Sequence, residues 1–239
     1  MIHLFALLSL LLCGVCYTGF QNSSHFHNTG NRRSLLLLVF GGALLLRLLL
    51  AYTTHGFSND IACFAAWADR IFTLGPGQFY SAEMFTDYPP GFMYVLYLIG
   101  ALRSLLQIPY YSDLHILLLK LPAILCDIAC GFLLYREAVK RLHFSDLQGI
   151  FAASAYLFQP AVILNSSCWG QVDSVYTLMI ILMCLFLMKG NLLPAYAVYG
   201  LGVLLKPQML IFTPVLLAGI WDHVFLQDFS SVSYTHLRA

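Results

Sequence analysis

Apolar stretches of near membrane-spanning length, separated by short polar segments, organise this chain. The runs lie at about 1–20, 34–52, 89–107, 114–135, 147–164, 173–188, 191–205 and 207–225. A helix needs roughly 20 apolar residues to cross the hydrocarbon core of a bilayer. Backbone groups in lipid must be satisfied within the segment itself, so the runs read as helices. The pattern predicts an all-α, polytopic transmembrane bundle of about seven or eight apolar runs over residues 1–229.

The longest polar interruption, 53–88, holds a second pattern. Within 58–72, Ile61, Phe64, Ala65, Ala68, Ile71 and Phe72 recur at helical spacing. This predicts a short amphipathic helix lying in the membrane interface. Ser58 or Asn59 is placed to cap it, and Gly75-Pro76-Gly77 to end it. Tyr88-Pro89-Pro90 reads as the start of the next helix, because proline is tolerated in a first helical turn.

Charge adds orientation. Arg32-Arg33 precede the second run, and Arg136, Lys140 and Arg141 follow the fourth. The positive-inside rule puts both groups on the cytoplasmic side. The 53–88 loop carries Asp60, Asp69, Glu83 and Asp87 against a single Arg70, and belongs outside. Following the runs onward brings Asp60, Asp87, Asp173 and Lys206 to that outer side. Between this loop and Arg136 the count of crossings comes out even where the rule needs an odd number. Either 89–107, which starts with two prolines and contains Arg103, is a partial or re-entrant segment, or a basic loop breaks the rule.

Composition agrees with a membrane protein. Apolar residues make up 60% of the chain and charged residues 10%, against about 25% charged in soluble domains. Mean hydropathy is +0.78. A net charge of +1 offers nucleic acid no basic surface. The seven cysteines fall mostly inside apolar runs, and Cys13-x-x-Cys16 has no second pair, so they read as space-filling. The eight histidines form no metal-ligand pattern. Residues 230–239 read as a tail foreign to the preceding module, and the chain as the N-terminal part of a longer protein.

Each polar feature among the apolar runs has two readings. Asp60 and Trp67, seven apart, share a face of the amphipathic helix; Asp60 is either a reactive carboxylate or one favoured by the helix dipole. Asp87 either meets a substrate or caps the helix that follows. The segment Asn165-Ser166-Ser167-Cys168-Trp169-Gly170-Gln171-Val172-Asp173-Ser174 is costly in a membrane unless it meets water or ligand. Trp169 either stacks on a sugar or anchors an aromatic belt, and Gln171 and Asp173 either bind hydroxyls or cap a helix. Lys206, before Pro207 and Gln208, either snorkels or binds phosphate. Lys120 and Asp127, also seven apart, face the bundle interior as a structural polar contact.

In order, Asp60 with Trp67, Asp87-Tyr88-Pro89-Pro90, the 169–174 segment and Lys206-Pro207-Gln208-Met209 resemble the GT-C class of polytopic glycosyltransferases over roughly 34–225. The chain is similar to bacterial membrane proteins related to the second mannosyltransferase of GPI-anchor synthesis. It is also similar to endoplasmic-reticulum glucosyltransferases that use dolichyl-phosphate-glucose. It departs from that pattern in having Trp169-Gly170-Gln171 for a His-Phe-Gln form, and Pro207 between Lys206 and Gln208.

The resemblance implies inverting transfer of a hexose, mannose favoured over glucose, from a polyprenyl-phosphate donor. The acceptor would be a hydroxyl of a glycan, lipid or protein on the non-cytoplasmic side of a bilayer. It implies Asp60 as general base, with Trp67, Asp87, Tyr88, Trp169, Gln171, Asp173, Lys206 and Gln208 around the substrate. Lys206, Gln171 and Gln208 would stabilise the departing phosphate. With no Asp-x-Asp pair, neither metal nor cofactor is expected. The membrane would be the plasma membrane in a bacterium or the endoplasmic reticulum in a eukaryote. The competing reading is a multi-span transporter or lipid flippase using Lys120 and Asp127.

Overall fold

The computed structural model describes residues 2–23, 32–81 and 85–221. The 230–239 tail lies outside them. Helices dominate, and no strand occurs among the described residues. In order they are α1 (Ile2–Ser23), α2 (Arg32–Thr53), α3 (Ser58–Leu74), α4 (Pro90–Leu105), α5 (Asp113–Lys140), α6 (Asp146–Leu157), α7 (Pro160–Ile163), α8 (Asp173–Leu187), α9 (Leu192–Leu205) and α10 (Thr213–Trp221). A π-helical turn, Leu164–Trp169, continues α7, and 3-10 turns cover Pro76–Gln78 and Pro207–Phe212.

Two of these helices, α2 and α5, are long and apolar enough to cross a membrane. A third span is counted if α6 and Pro160–Trp169, bent by 51° at their junction, form one. Among the described residues α4, α8 and α9 are shorter, at 16, 15 and 14 residues, so the expected seven or eight runs are not all full-length spans. The 89–107 run is among the shorter ones, as α4.

The chain divides into two compact units, Met1–Met84 with Met93–Val175, and Phe85–Phe92 with Tyr176–Ala239. In the first, α2, α5 and α6 pack around Ala43, Tyr135, Ile150, Ala153 and Leu157. Close approach needs small residues: a Cβ on Gly131 would meet Leu157 at 2.6 Å, and one on Gly149 would meet Val139 at 2.6 Å. Ser145 and Gln148 form a capping box that starts α6. The Ser112 hydroxyl accepts the His115 N–H at the start of α5. In the second unit, Met183, Ala195, Met209 and Leu216 form the core.

An ion pair sits at the centre of the first unit. Arg47 and Asp127 are both fully buried, with Nε donating to Oδ2 at 3.2 Å. Arg47 Nη2 also donates to the Leu157 carbonyl at 2.7 Å, and Nη1 to that of Ala43 at 3.3 Å. Tyr156 donates its hydroxyl to the other Asp127 oxygen at 3.2 Å. One network thus joins α2, α5 and α6. Asp127 is a structural contact, as its spacing predicted, but its partner is Arg47 on another helix.

The amphipathic helix forms as α3 and ends at Gly75, whose φ is +81°. Two expectations are corrected. Its apolar face is covered by protein rather than laid on an interface: Ile61, Phe64, Ala65, Trp67, Ala68 and Ile71 are all buried. Gly100 of α4 is what lets the two helices meet, since a Cβ there would lie 2.5 Å from the Ala68 carbonyl. Neither Ser58 nor Asn59 is the cap. Phe57 holds that position without a side-chain bond, because its N–H donates to the Trp169 carbonyl at 2.8 Å and sets the backbone there.

Replacing Asp127 alone with Leu is expected to destabilise the first unit by about 3–5 kcal/mol, the usual result of stranding one member of a buried pair. Pairing it with Arg47→Met should recover most of that loss. Thermal unfolding of the detergent-solubilised chain measures both; a double variant as unstable as the single one would contradict the pair's role.

Candidate functional site

Two backbone segments meet at Asp60. The first is 54–60, which leaves α2 and enters α3. The second is the π-helical turn with the residues that follow it, 164–173. The bend at Phe158–Pro160 redirects the chain before the turn. There the Asn165 carbonyl accepts from the N–H groups of both Gly170 and Gln171, at 3.1 and 2.9 Å. Gly170 adopts the left-handed conformation, φ +89°, and Gly56 has φ +79°. The same side chain crowds both glycines. A Cβ on Gly170 would lie 2.6 Å from Ile61 Cδ1, and one on Gly56 would lie 2.8 Å from Ile61 Cγ1. Only glycine meets the backbone angle and the space at once.

Lys120 of α5 holds the two segments together. Its side chain is fully buried. Nζ lies 2.6 Å from the Thr54 carbonyl, 3.2 Å from the Ala51 carbonyl, 3.2 Å from Thr54 Oγ1 and 2.9 Å from the Ser167 carbonyl. The ammonium therefore sits at the negative end of α2, where helix carbonyls lack intrahelical partners. Lys120 is thus the structural contact that its position suggested.

Asp60 lies in the first turn of α3, where the helix dipole favours a carboxylate. Gln171 Nε2 donates to its Oδ2, and Trp169 Nε1 donates to the same oxygen at 3.3 Å. Both donors are neutral. No described residue bonds Oδ1. Trp169 is 51% exposed and Phe57 45% exposed, and their ring centroids are 5.4 Å apart. A half-buried carboxylate is thus fixed through one oxygen, with the other open and a pair of exposed aromatic faces alongside.

Behind it, Asn165 Nδ2 donates to Asp173 Oδ2 at 2.9 Å. That bond turns the side-chain amide oxygen of Asn165, Oδ1, the other way, where it is buried without a partner. Asp173 opens α8 and supports Asn165.

Of the residues expected at a site, Asp60, Trp169 and Gln171 come together, with Asp173 behind them. Gln171 bonds Asp60, a different role from the expected donor to phosphate. Trp67 is a correction: it is only 2% exposed and packs edge-on against Phe64, so it is a core residue rather than a binding surface. Gly56, Phe57 and Thr54 were missed; a glycine just ahead of an acidic helix start was the available signal.

The second unit has a cluster of its own. Lys206 ends α9, is 9% exposed, and lies 5.7 Å from the ring centroids of both Tyr88 and Tyr176. This is cation–π geometry rather than a snorkelling side chain. Tyr88 also packs on Phe92, with centroids 5.4 Å apart. Gly91 brings this strand of chain against α9, since a Cβ there would meet the Leu204 carbonyl at 2.5 Å. Asp87 is exposed ahead of α4, and Gln208 is exposed in the 3-10 turn. No group of His, Cys, Asp or Glu among the described residues has the arrangement of a metal site.

Compared with known proteins, the chain matches no family model, and no curated protein or solved structure is significantly similar to it.

Gly170→Ala should lower stability by about 1–3 kcal/mol through backbone strain alone. Adding Ile61→Val should relieve the steric contact but not the strain, giving partial recovery. Thermal melts of the three chains distinguish the outcomes; an unaltered Gly170→Ala melt would argue against the geometry of the turn.

Proposed function

We propose that this chain is an integral, multi-pass membrane hexosyltransferase of the GT-C type, with Asp60 as its general base. The observation that carries the reading is the state of the Asp60 carboxylate. Neutral donors from Gln171 and Trp169 fix one oxygen, and the other has no partner among the described residues. A base must be ionised, oriented and open on the side of the proton that it takes. Asp60 meets the orientation and access requirements, and the N-terminus of α3 favours its charge.

In the proposed step, Oδ1 accepts the proton of an acceptor hydroxyl as that oxygen attacks the anomeric carbon. The bond from this carbon to the donor phosphate oxygen breaks, and its electron pair leaves with the phosphate. Attack opposite the leaving group inverts the anomeric centre. Trp169 and Phe57 offer flat faces for the C–H side of a pyranose ring. For the second unit, the same reading assigns Lys206, with Tyr88 beside it, to the charge of a polyprenyl phosphate. Mannose is preferred to glucose on the sequence resemblance alone.

The arrangement favours a transferase over a transporter or flippase. Lys120 and Asp127, the charges that such a protein would use in the membrane, are both bonded within the protein.

Asp60→Asn should lower sugar transfer by about 10²–10⁴-fold, the usual contribution of a general base. Gln171→Ala should cost less, roughly tenfold, because it frees the carboxylate without removing it. Membranes containing each variant, given radiolabelled polyprenyl-phosphate mannose, report label transferred to lipid, glycan or protein. Full transfer by Asp60→Asn at equal expression would exclude Asp60 as the base. Uptake of label into vesicles without transfer would favour the transporter.

A further inference from the structure

The first unit has an apolar groove remote in sequence from the Asp60 cluster. It is a shallow, open groove of about 520 Å³ between α2 and α5, lined by Leu37, Phe40, Gly41, Leu125, Ile128 and Phe132 among others, all apolar. Leu37 and Phe132 remain well exposed along it. The space above Gly41 is open, with no atom within 4 Å of where a Cβ would stand.

Three observations identify an occupant. First, α2 and α5 are the two helices of spanning length, so on the membrane reading their cleft opens to hydrocarbon. Second, the lined stretch of α2, Leu36 to Leu44, rises about 12 Å at 1.5 Å per residue. That is close to one leaflet of a core roughly 30 Å thick. Third, one end is basic. Arg33 precedes Leu37 by four positions, and Arg136 and Lys140 follow Phe132 by four and eight, so helical spacing puts all three on the groove side.

The antiparallel register brings those ends together. Arg32 at the start of α2 donates to the Tyr135 hydroxyl at 2.9 Å, and the Phe40 and Phe132 rings meet at 6.4 Å. Two of the local cations are occupied: Arg32 pairs with Asp146 and Arg136 with Glu137. Arg33 and Lys140 are exposed and in no ion pair among the described residues.

We infer that this groove binds one acyl chain of an anionic glycerophospholipid, whose phosphate group rests between Arg33 and Lys140. An apolar channel of leaflet depth with cations at its mouth matches such a lipid along its length. Basic pockets between membrane helices recognise anionic headgroups in this way. A zwitterionic lipid would fill the groove equally but gain less at its mouth. The inference rests on the membrane setting of α2 and α5, and is independent of sugar transfer.

The test uses the full chain in detergent, titrated with dioleoyl-phosphatidylglycerol or dioleoyl-phosphatidylcholine and read by native mass spectrometry. Phosphatidylglycerol should be retained more tightly, by about fivefold per contributing cation. Gly41→Leu, which fills the groove without a clash, should reduce retention of both lipids. Gly42→Leu, also facing open space but outside the lining, controls for the change in helix propensity and should leave retention unchanged. Arg33→Gln with Lys140→Gln should abolish the headgroup preference while keeping the adduct. Equal retention of the two lipids by the unaltered chain would overturn the inference. So would retention indifferent to Gly41→Leu, or a dimer that Gly41→Leu dissociates, which would make the groove a contact between copies.

Discussion

The buried ammonium of Lys120 is the constraint on which the first unit's site depends. A charge without water needs oxygens around it, and the nearest supply is the end of a helix. Lys120 takes two carbonyls and a hydroxyl from the end of α2 and one carbonyl from the π-helical turn. In satisfying one cation, the fold fixes two segments that are distant in sequence. Asp60 leaves the first segment, and Trp169 and Gln171 leave the second. The hydrogen bonds at the carboxylate are consequences of a contact made one layer below.

Two aspartates of this unit illustrate how surroundings separate structure from chemistry. Asp127 is fully buried, uses both oxygens, and faces a guanidinium and a phenol. Nothing remains for it to do. Asp60 is half-buried, bonded through one oxygen, and faces neutral donors. Its charge is supported by a helix start, which leaves a lone pair uncommitted. The distinction lies in partners rather than in residue type or helix position.

Much of this was legible locally. The period of apolar positions marks α3, Gly75 its end, and Tyr88-Pro89-Pro90 the approach to α4. The burial of Lys120 and Asp127 follows from charges seven apart in an apolar run. What was hidden is long-range. Arg47 is as conspicuous as Asp127, yet 80 residues separate them, and no spacing rule links them. Trp67 shares a helical face with Asp60, but that face dips into the core within two turns. The cap at Phe57 is set by a carbonyl more than a hundred residues away. The need for glycine at both 56 and 170 arises from positive φ together with the crowding of Ile61, and at 56 also of the Trp169 carbonyl, which a one-dimensional pattern does not contain. Apolarity alone does not set helix length, so the number of full-length spans was not legible; prolines and breaks divide the later runs among the described residues.

The Arg47–Asp127 pair also has a meaning in time. Synthesis proceeds from the N-terminus, so α2 is complete long before α5 exists. On the proposed membrane reading, Arg47 in the last third of α2 is a charge that costs free energy in a lone helix, less than the ~2.5–3.5 kcal/mol of one at the helix centre. Until Asp127 is made, that cost is unrelieved, and α2 alone is a poor resident of lipid. The apolar residues around Arg47 must hold the helix at the membrane during the interval, or the two helices must leave the insertion machinery together. On the proposed membrane reading, the bond that stabilises the finished protein thereby sets an order of assembly, with α5 completing the insertion of α2.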